Sequence, residues 1–482
     1  MCHNRDVTLS EIDVSGAIKR AKEIAASDKK LPSSVRAVIE LLVLIVELLL
    51  VRLNVNSRNS STPPSQDPHR ERGRTVRAER KRKPGGQPGH KGETIARIEN
   101  PDKIELLSVD RRTLPRGHEY RRVQEDVRQV IDIEIKRKVT ECQAEVLEDE
   151  RGRQYRAVFP EDVTRPVQYG ASVKAEALYM SVYQLLPNHR VQDFFRDQAG
   201  IELSVGSLQN FRREAYEHLE EFERTARNNL QEATIAHFDE TGININGKLA
   251  WLHSASNDEW TLYGAHEQRG KEGIDALGVL PHFSGIACHD HWKAYFNYTN
   301  CIHVLCNSHH ARELTGIIEN EGHRWAQQMR GLLERIYIAV EKANGRLSSR
   351  SQAAFRKQYR EILARGKKEC PAAPKISGKR GRTKQSKARN LLERLEEFEE
   401  ETLRFITSPI IPFTNNLAER DIRMTKLQQK ISGCFKSLHT AQIFCRTRSF
   451  LSTCVKRGLS ATETLQGLFM GNLPDFVQPR PP

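Results

Sequence analysis

Apolar positions along the chain follow three different rhythms. In "AVIELLVLIVELLLVRL", residues 37–53, Leu42 and Leu49 extend a seven-residue spacing begun at Val35, with Val38 and Ile45 between them. That pattern predicts a helix with one apolar seam, suited to coiled-coil pairing or to packing within the molecule. Glu40, Glu47 and Arg52 interrupt the run, which falls short of the ~18 apolar residues of a membrane span, so no membrane partner is expected. Residues 96–168 change to alternation in stretches such as "VRQVIDIEIKRKVTECQAEVL", predicting a small antiparallel β module. From Tyr169 a helical period takes over. "VQDFFRDQAGIELSVGSLQNFRREAYEHL" predicts a helix, a turn at Gly200 and a helix capped by Ser204 or Ser207. The spacing suits a DNA-reading helix-turn-helix, and equally an ordinary helical domain.

Residues 233–306 carry five strand-like runs, "ATIAHFDETG", "GKLAWLHSAS", "EWTLYGAHEQ", "SGIACHDH" and "CIHVLC", with "KEGIDALGVLP" as a helix between the third and fourth. Three antiparallel runs, a helix and further strands predict a mixed α/β sheet. Residues 323–404 read as helical around a basic Gly/Pro-broken loop, and "TNNLAERDIRMTKLQQK" as one more helix with an Asn cap before a helical tail.

Charge narrows the partner. Lys and Arg number 76 against 62 Asp and Glu, a net charge of +14, which favours a polyanion, nucleic acid before an anionic membrane surface. Much of the excess lies in residues 54–92, where Arg80, Lys81, Arg82 and Lys83 stand together ahead of a Gly/Pro run. This basic linker reads either as a solvated tether or as a strip that neutralises DNA phosphates. The nine cysteines are scattered, odd in number and without a Cys-x-x-Cys pair, and the N-terminus lacks a secretory pattern. A cytoplasmic protein with free thiols is expected.

Three acidic residues stand where solvation does not account for them. Asp239 and Asp290 each end an apolar strand, and Glu419 sits early in a helix rich in Arg and Lys. Converging carboxylates repel one another unless a divalent cation lies among them, and hard oxygen ligands select Mg²⁺ or Mn²⁺. Arg423, Lys426 and Lys430 share a helix face with Glu419, as a stripe for DNA phosphates or as partners in an ordinary Glu419–Arg423 pair. Glu240 is expected on the opposite strand face from Asp239 in a salt bridge or turn, and Asp421 away from Glu419. His237 shares the Asp239 face, while His289 and His291 point away from Asp290. Cys306, His309 and His310 lack a second ligand pair, so zinc is not expected.

"HFDETG", "HDHWKAYF", "LCNSHHARELTGI" and "NNLAERDIRMTKLQQKISGCF", in this order, resemble the insertion-sequence transposases of the IS66 family, as do "NSRNSSTPPSQD" and "RKPGGQPGHKG" nearer the N-terminus. The resemblance implies an α/β RNase H-like DDE core interrupted before its last acid by a helical insertion. The acids carry to Asp239, Asp290 and Glu419 as catalytic metal ligands. Beside them, His309 and Arg312 would orient phosphates or carboxylates, and Lys293 would contact the substrate backbone. The implied layout is a coiled-coil-like segment (1–56), the basic linker (57–95), the β module (96–168), a helix-turn-helix-like domain (169–228), the first part of the core (229–322), the insertion (323–404) and the final core helix with its tail (405–482). The implied activity is metal-dependent cleavage at element ends and transfer of the 3′-hydroxyls into target DNA, by a homo-oligomer working with companion proteins of the same element at the bacterial nucleoid. An inactive DNA-binding relative and a nuclease that does not join strands are the alternatives. One departure stands out: the family's paired cysteines are reduced to Cys142 within 96–168, too few for tetrahedral zinc.

Overall fold

The computed structural model describes residues 14–27, 31–53, 59, 95–124, 126–373 and 383–477. Arg80, Lys81, Arg82 and Lys83 lie outside the described residues. The chain divides into a large unit (1–70, 158–193 and 202–482) and a small one (71–157 and 194–201).

In the large unit, α1 (Val14–Ser27) and α2 (Ser33–Leu53) pack as a helical pair, with Lys22 Nζ 2.6 Å from Glu47 Oε1. Ala25 and Val43 are buried, whereas Val35, Val38, Leu42, Ile45 and Leu49 of the heptad seam are exposed. Among the described residues of the small unit the strands make one hairpin, β1 (Val146–Glu148) against β2 (Gln154–Arg156), starting at the end of the alternating stretch. The larger β module expected there is reduced to this hairpin. Val123, Val130, Ile133 and Val139 remain exposed, because alternation builds a sheet only where a second layer covers its apolar face.

α3 (Ala171–Leu178), α4 (Asn188–Ala199) and α5 (Val205–His218) follow. Gly200 takes a left-handed φ of +61° at the turn, and Ser204 caps α5 by accepting the Ser207 N–H at 2.9 Å. Leu208, Phe211 and Ala215 form the buried stripe of α5, and α6 (Glu220–Gln231) leads into the sheet.

The sheet has the expected mixed character. Its strands are β3 (Ile235–Ile245), β4 (Lys248–Ser256), β5 (Thr261–His266), β6 (Ile286–His289) and β7 (Ile302–Leu305), with α7 (Lys271–Leu277) between β5 and β6. Their spatial order is β5-β4-β3-β6-β7, antiparallel across the first three and parallel from β3 onward. Asn246 and Gly247, both at positive φ, make the tight β3–β4 turn that an Asn-Gly pair favours. The β5 edge is closed by side chains: Thr453 Oγ1 and Ser449 Oγ accept the outward N–H groups of Thr261 and Tyr263 at 3.0 and 2.8 Å.

Helices α8 (Asn307–Glu321), α9 (Arg324–Lys342), α10 (Ser349–Glu369), α11 (Lys387–Glu397) and α12 (Glu399–Leu403) follow β7. Trp325, Met329, Leu332, Tyr359, Leu391 and Phe405 fill a core among them that reaches Cys288 and Val304 of the sheet. The chain then returns as α13 (Asn416–Ser432), α14 (Leu438–Lys456) and α15 (Ala461–Phe469). Both ends of α13 are tied to β3. Asn415 bonds the Phe238 carbonyl at the front, and Phe435 exchanges backbone bonds with Asn244 and Asn246 beyond the helix end.

Candidate active site

Parallel pairing sets the positions of the first two acids. The β3–β6 ladder ends with His237 opposite Cys288, so Asp239 and Asp290 stand two residues beyond the same rung on neighbouring strands. Cys306 follows the end of β7, its N–H donating to the His289 carbonyl at 3.0 Å. Carboxyl ends of adjacent parallel strands are where an open α/β sheet gathers its functional groups.

The third acid arrives on α13. Asn415, 1 % exposed, donates from Nδ2 to the Phe238 carbonyl and meets His237 Nδ1 with Oδ1, both at 2.8 Å. Its backbone N–H reaches Cys306 Sγ at 3.1 Å. One buried residue therefore ties the start of α13 to β3 and to the β7 end, one helical turn ahead of Glu419. Asp421 faces elsewhere, pairing with Lys456 at 2.7 Å.

Charge follows from this packing. Burial holds the Asp239 carboxyl well above its ordinary range, and the neighbouring Glu240, Asp290 and Glu419 charges push it further the same way. One oxygen of Asp239 accepts the Glu240 N–H at 2.9 Å, and one of Asp290 accepts the Trp292 N–H at 2.8 Å. Glu240 is treated differently. Arg269 Nη2 lies 2.7 Å from its Oε1 and the Tyr295 hydroxyl donates to its Oε2 at 2.5 Å. The Arg269 guanidinium is itself held between the Trp251 and Trp292 rings. Burial and Asp290 raise the Glu240 pKa, while Tyr295 and Arg269 oppose the rise.

Glu419 makes no pair with Arg423. Arg312 Nη2 is 3.4 Å from its Oε2, and His309 Nε2 is 3.7 Å from its Oε1. Arg423, Lys426 and Lys430 are exposed, and none enters an ion pair among the described residues. Lys293 is also exposed, at the start of the short turn after Asp290. The histidines flanking Asp290 are packing groups. His289 is fully buried, 2.8 Å from His303 Nδ1 and stacked on Tyr295, and burial lowers its pKa to about 3. His291 sits edge-on to Phe398, its pKa lowered to about 4 by burial.

Residues 166–443, more than half of the chain, match the model of the Transposase IS66 family. The chain belongs to the IS66 transposase family. Residues 17–96 of this transposase match a second family, one of unknown function. No curated protein matches the chain. Membership makes DNA the partner of this transposase, and no described helix is long and apolar enough to cross a membrane.

Sequence reasoning passed over Asn415 except as a cap, and over Arg269 altogether. Arg269 lies between the strand-like run "EWTLYGAHEQ" and the helix "KEGIDALGVLP", and its partner is 29 residues back. Its only local signal was a cation among residues otherwise unpaired in sequence.

Proposed function

We propose that this transposase cuts DNA at the ends of its own element and joins the freed 3′-hydroxyls to target DNA, with Asp239, Asp290 and Glu419 as the reacting site. The fold reading is an RNase H-like core with 323–404 as a helical insertion. The strand order β5-β4-β3-β6-β7, antiparallel on one side of β3 and parallel on the other, supports it.

The three carboxylates are the donor type that a hard divalent cation takes, although their oxygens are not gathered within 4.8 Å of one another. They offer oxygen donors only, and the Asp239 pKa is raised first by burial and then by the charges of Glu240, Asp290 and Glu419, which a cation would offset. Mg²⁺ or Mn²⁺ held by these residues would lower the cost of charge building on the attacking and departing oxygens of a phosphodiester. The chain's own groups supply the rest. The β3–β6 register supports Asp239 and Asp290 as neighbours, and the bonds of Asn415 to Phe238 and Cys306 hold the start of the helix that carries Glu419. Arg312 and His309 stand beside Glu419 with partly exposed side chains, so they can meet a phosphate. Arg423, Lys426, Lys430 and Lys293 are free to contact the DNA backbone, which orients the duplex without reading sequence.

The observation that carries the reading is the shared rung: Asp239 and Asp290 both lie two residues past His237 and Cys288. Asp290→Asn, incubated with Mg²⁺ and labelled element ends, should lose cleavage and joining together. Full strand transfer by that variant would sink the assignment. A wild-type product that is nicked and never joined would instead favour a nuclease.

A further inference from the structure

Around one oxygen of Glu419 the chain gathers ligands that magnesium does not choose. Cys306 Sγ is 3.9 Å from Glu419 Oε1, and His309 Nε2 is 3.7 Å from the same oxygen. Ligand atoms of all three residues lie within 4.8 Å of one another. Zinc bond lengths of about 2.3 Å to sulfur and about 2.1 Å to nitrogen and oxygen give tetrahedral edges of about 3.6 Å and about 3.4 Å. The two separations from Glu419 Oε1 exceed these by a few tenths of an ångström, within reach of small side-chain rotations. The ligand set was hidden in the sequence because Glu419 lies 113 residues from Cys306. A second observation points the same way: Glu419 Oε1 has no polar contact shorter than 3.5 Å among the described residues, its neighbours being Arg312 Nη2, His309 Nε2 and Cys306 Sγ.

We propose that Cys306, His309 and Glu419 form a soft-metal site that takes Zn²⁺ and, when filled, withdraws Glu419 from the acid trio. Sulfur and imidazole select Zn²⁺ over Mg²⁺, and three protein ligands leave a fourth position for water. Binding replaces the thiol proton, which passes to solvent, by the metal; no electron is transferred. The site stands on its own geometry. Its inhibitory consequence rests on the proposed function.

Co²⁺ is a suitable probe, added to the full chain without DNA or Mg²⁺. One equivalent should bind with a thiolate-to-cobalt charge-transfer band, displaced by Zn²⁺ and not by an equal concentration of Mg²⁺. His309→Ala should weaken binding at least about tenfold, and Cys306→Ser should abolish the band. Cys142→Ser should leave it intact. Cys306 is buried and its variant risks misfolding, so His309→Ala, with a partly exposed side chain, decides the matter once its melt shows a folded protein. An undiminished band in folded His309→Ala, or no band in wild type, overturns the proposal. Asp290→Asn should keep the band while losing Mg²⁺-dependent cleavage, so the soft-metal site and the acid trio fail in separate measurements. In the wild type, one equivalent of Zn²⁺ at fixed excess Mg²⁺ should slow cleavage about tenfold. An unchanged rate with zinc bound would overturn the inhibitory role.

Discussion

Asp239 and Glu240 are adjacent on one strand, and their surroundings are opposites. On one face, Glu240 has a guanidinium held between two indoles and a tyrosine hydroxyl, so the protein itself neutralises the charge. On the other, Asp239 has one backbone N–H and the charges of further acids. The protein offsets part of the cost of burying Glu240 and offers Asp239 less, although both are withdrawn from water.

The largest expected effect is at Asp239. Asp239→Asn should lower Mg²⁺-dependent strand cleavage roughly a thousandfold or more, read on labelled element ends. Its stability should move the other way. The Asp239 pKa is raised in the fold, so ionisation costs stability as pH climbs from about 3.8 toward the raised folded value. Without divalent metal, the variant should melt above wild type at neutral pH, and the difference should vanish below about pH 3.8. A variant that melts lower than wild type at pH 7 would break the contrast.

Glu240→Ala tests the other face. It strips Arg269 of its carboxylate and leaves the Tyr295 hydroxyl buried without an acceptor, at a cost of about 2–3 kcal/mol. Arg269 is partly exposed, and water tempers its share. Urea unfolding should show the loss. Neutral behaviour would mean that Glu240 is as uncompensated as its neighbour.

Asn415→Ala should cost about 1–3 kcal/mol, because the Phe238 carbonyl and the His237 imidazole lose a buried partner. It should also slow cleavage more than the stability loss explains, since Asn415 holds the start of the helix that carries Glu419. Raising Mg²⁺ would recover part of the rate if positioning is the cause. Unchanged kinetics in a destabilised variant would reduce Asn415 to a packing residue.

These residues also mark how far the sequence could be read. The sheet was legible as short apolar strand-like runs, in one of which Ala236 and Phe238 of β3 are buried. Asp290 does follow the end of β6, whereas Asp239, expected at a strand end, lies in the middle of β3, which runs on to Ile245. What alternation could not say was whether a second layer exists to cover it, so residues 96–145 read as strands yet leave Val130 and Ile133 exposed. The surroundings of Glu419 were illegible for a different reason. The cation one helical turn along is Arg423, but its cation in space is Arg312, 107 residues earlier. A short-range pair can be read from spacing, whereas a long-range one appears only when the helix is docked.

That difference gives the smallest effect and the most discriminating one. If Glu419 had taken Arg423, the basic stripe of α13 would begin with a satisfied charge and lose one phosphate contact. Because Arg423, Lys426 and Lys430 are exposed without ion pairs, each is available to displace a counterion from DNA. Replacing Arg423 by Ala should then weaken binding to any duplex uniformly and reduce the slope of log affinity against log salt by about 1, with the melting temperature unchanged. The same substitution at Arg312 should do more than this. It removes a cation from a half-buried carboxylate and so should raise the apparent Mg²⁺ dependence of cleavage as well. A salt slope unaffected by Arg423→Ala would place DNA on another face and leave Asp239 and Asp290 without their nearest cationic track.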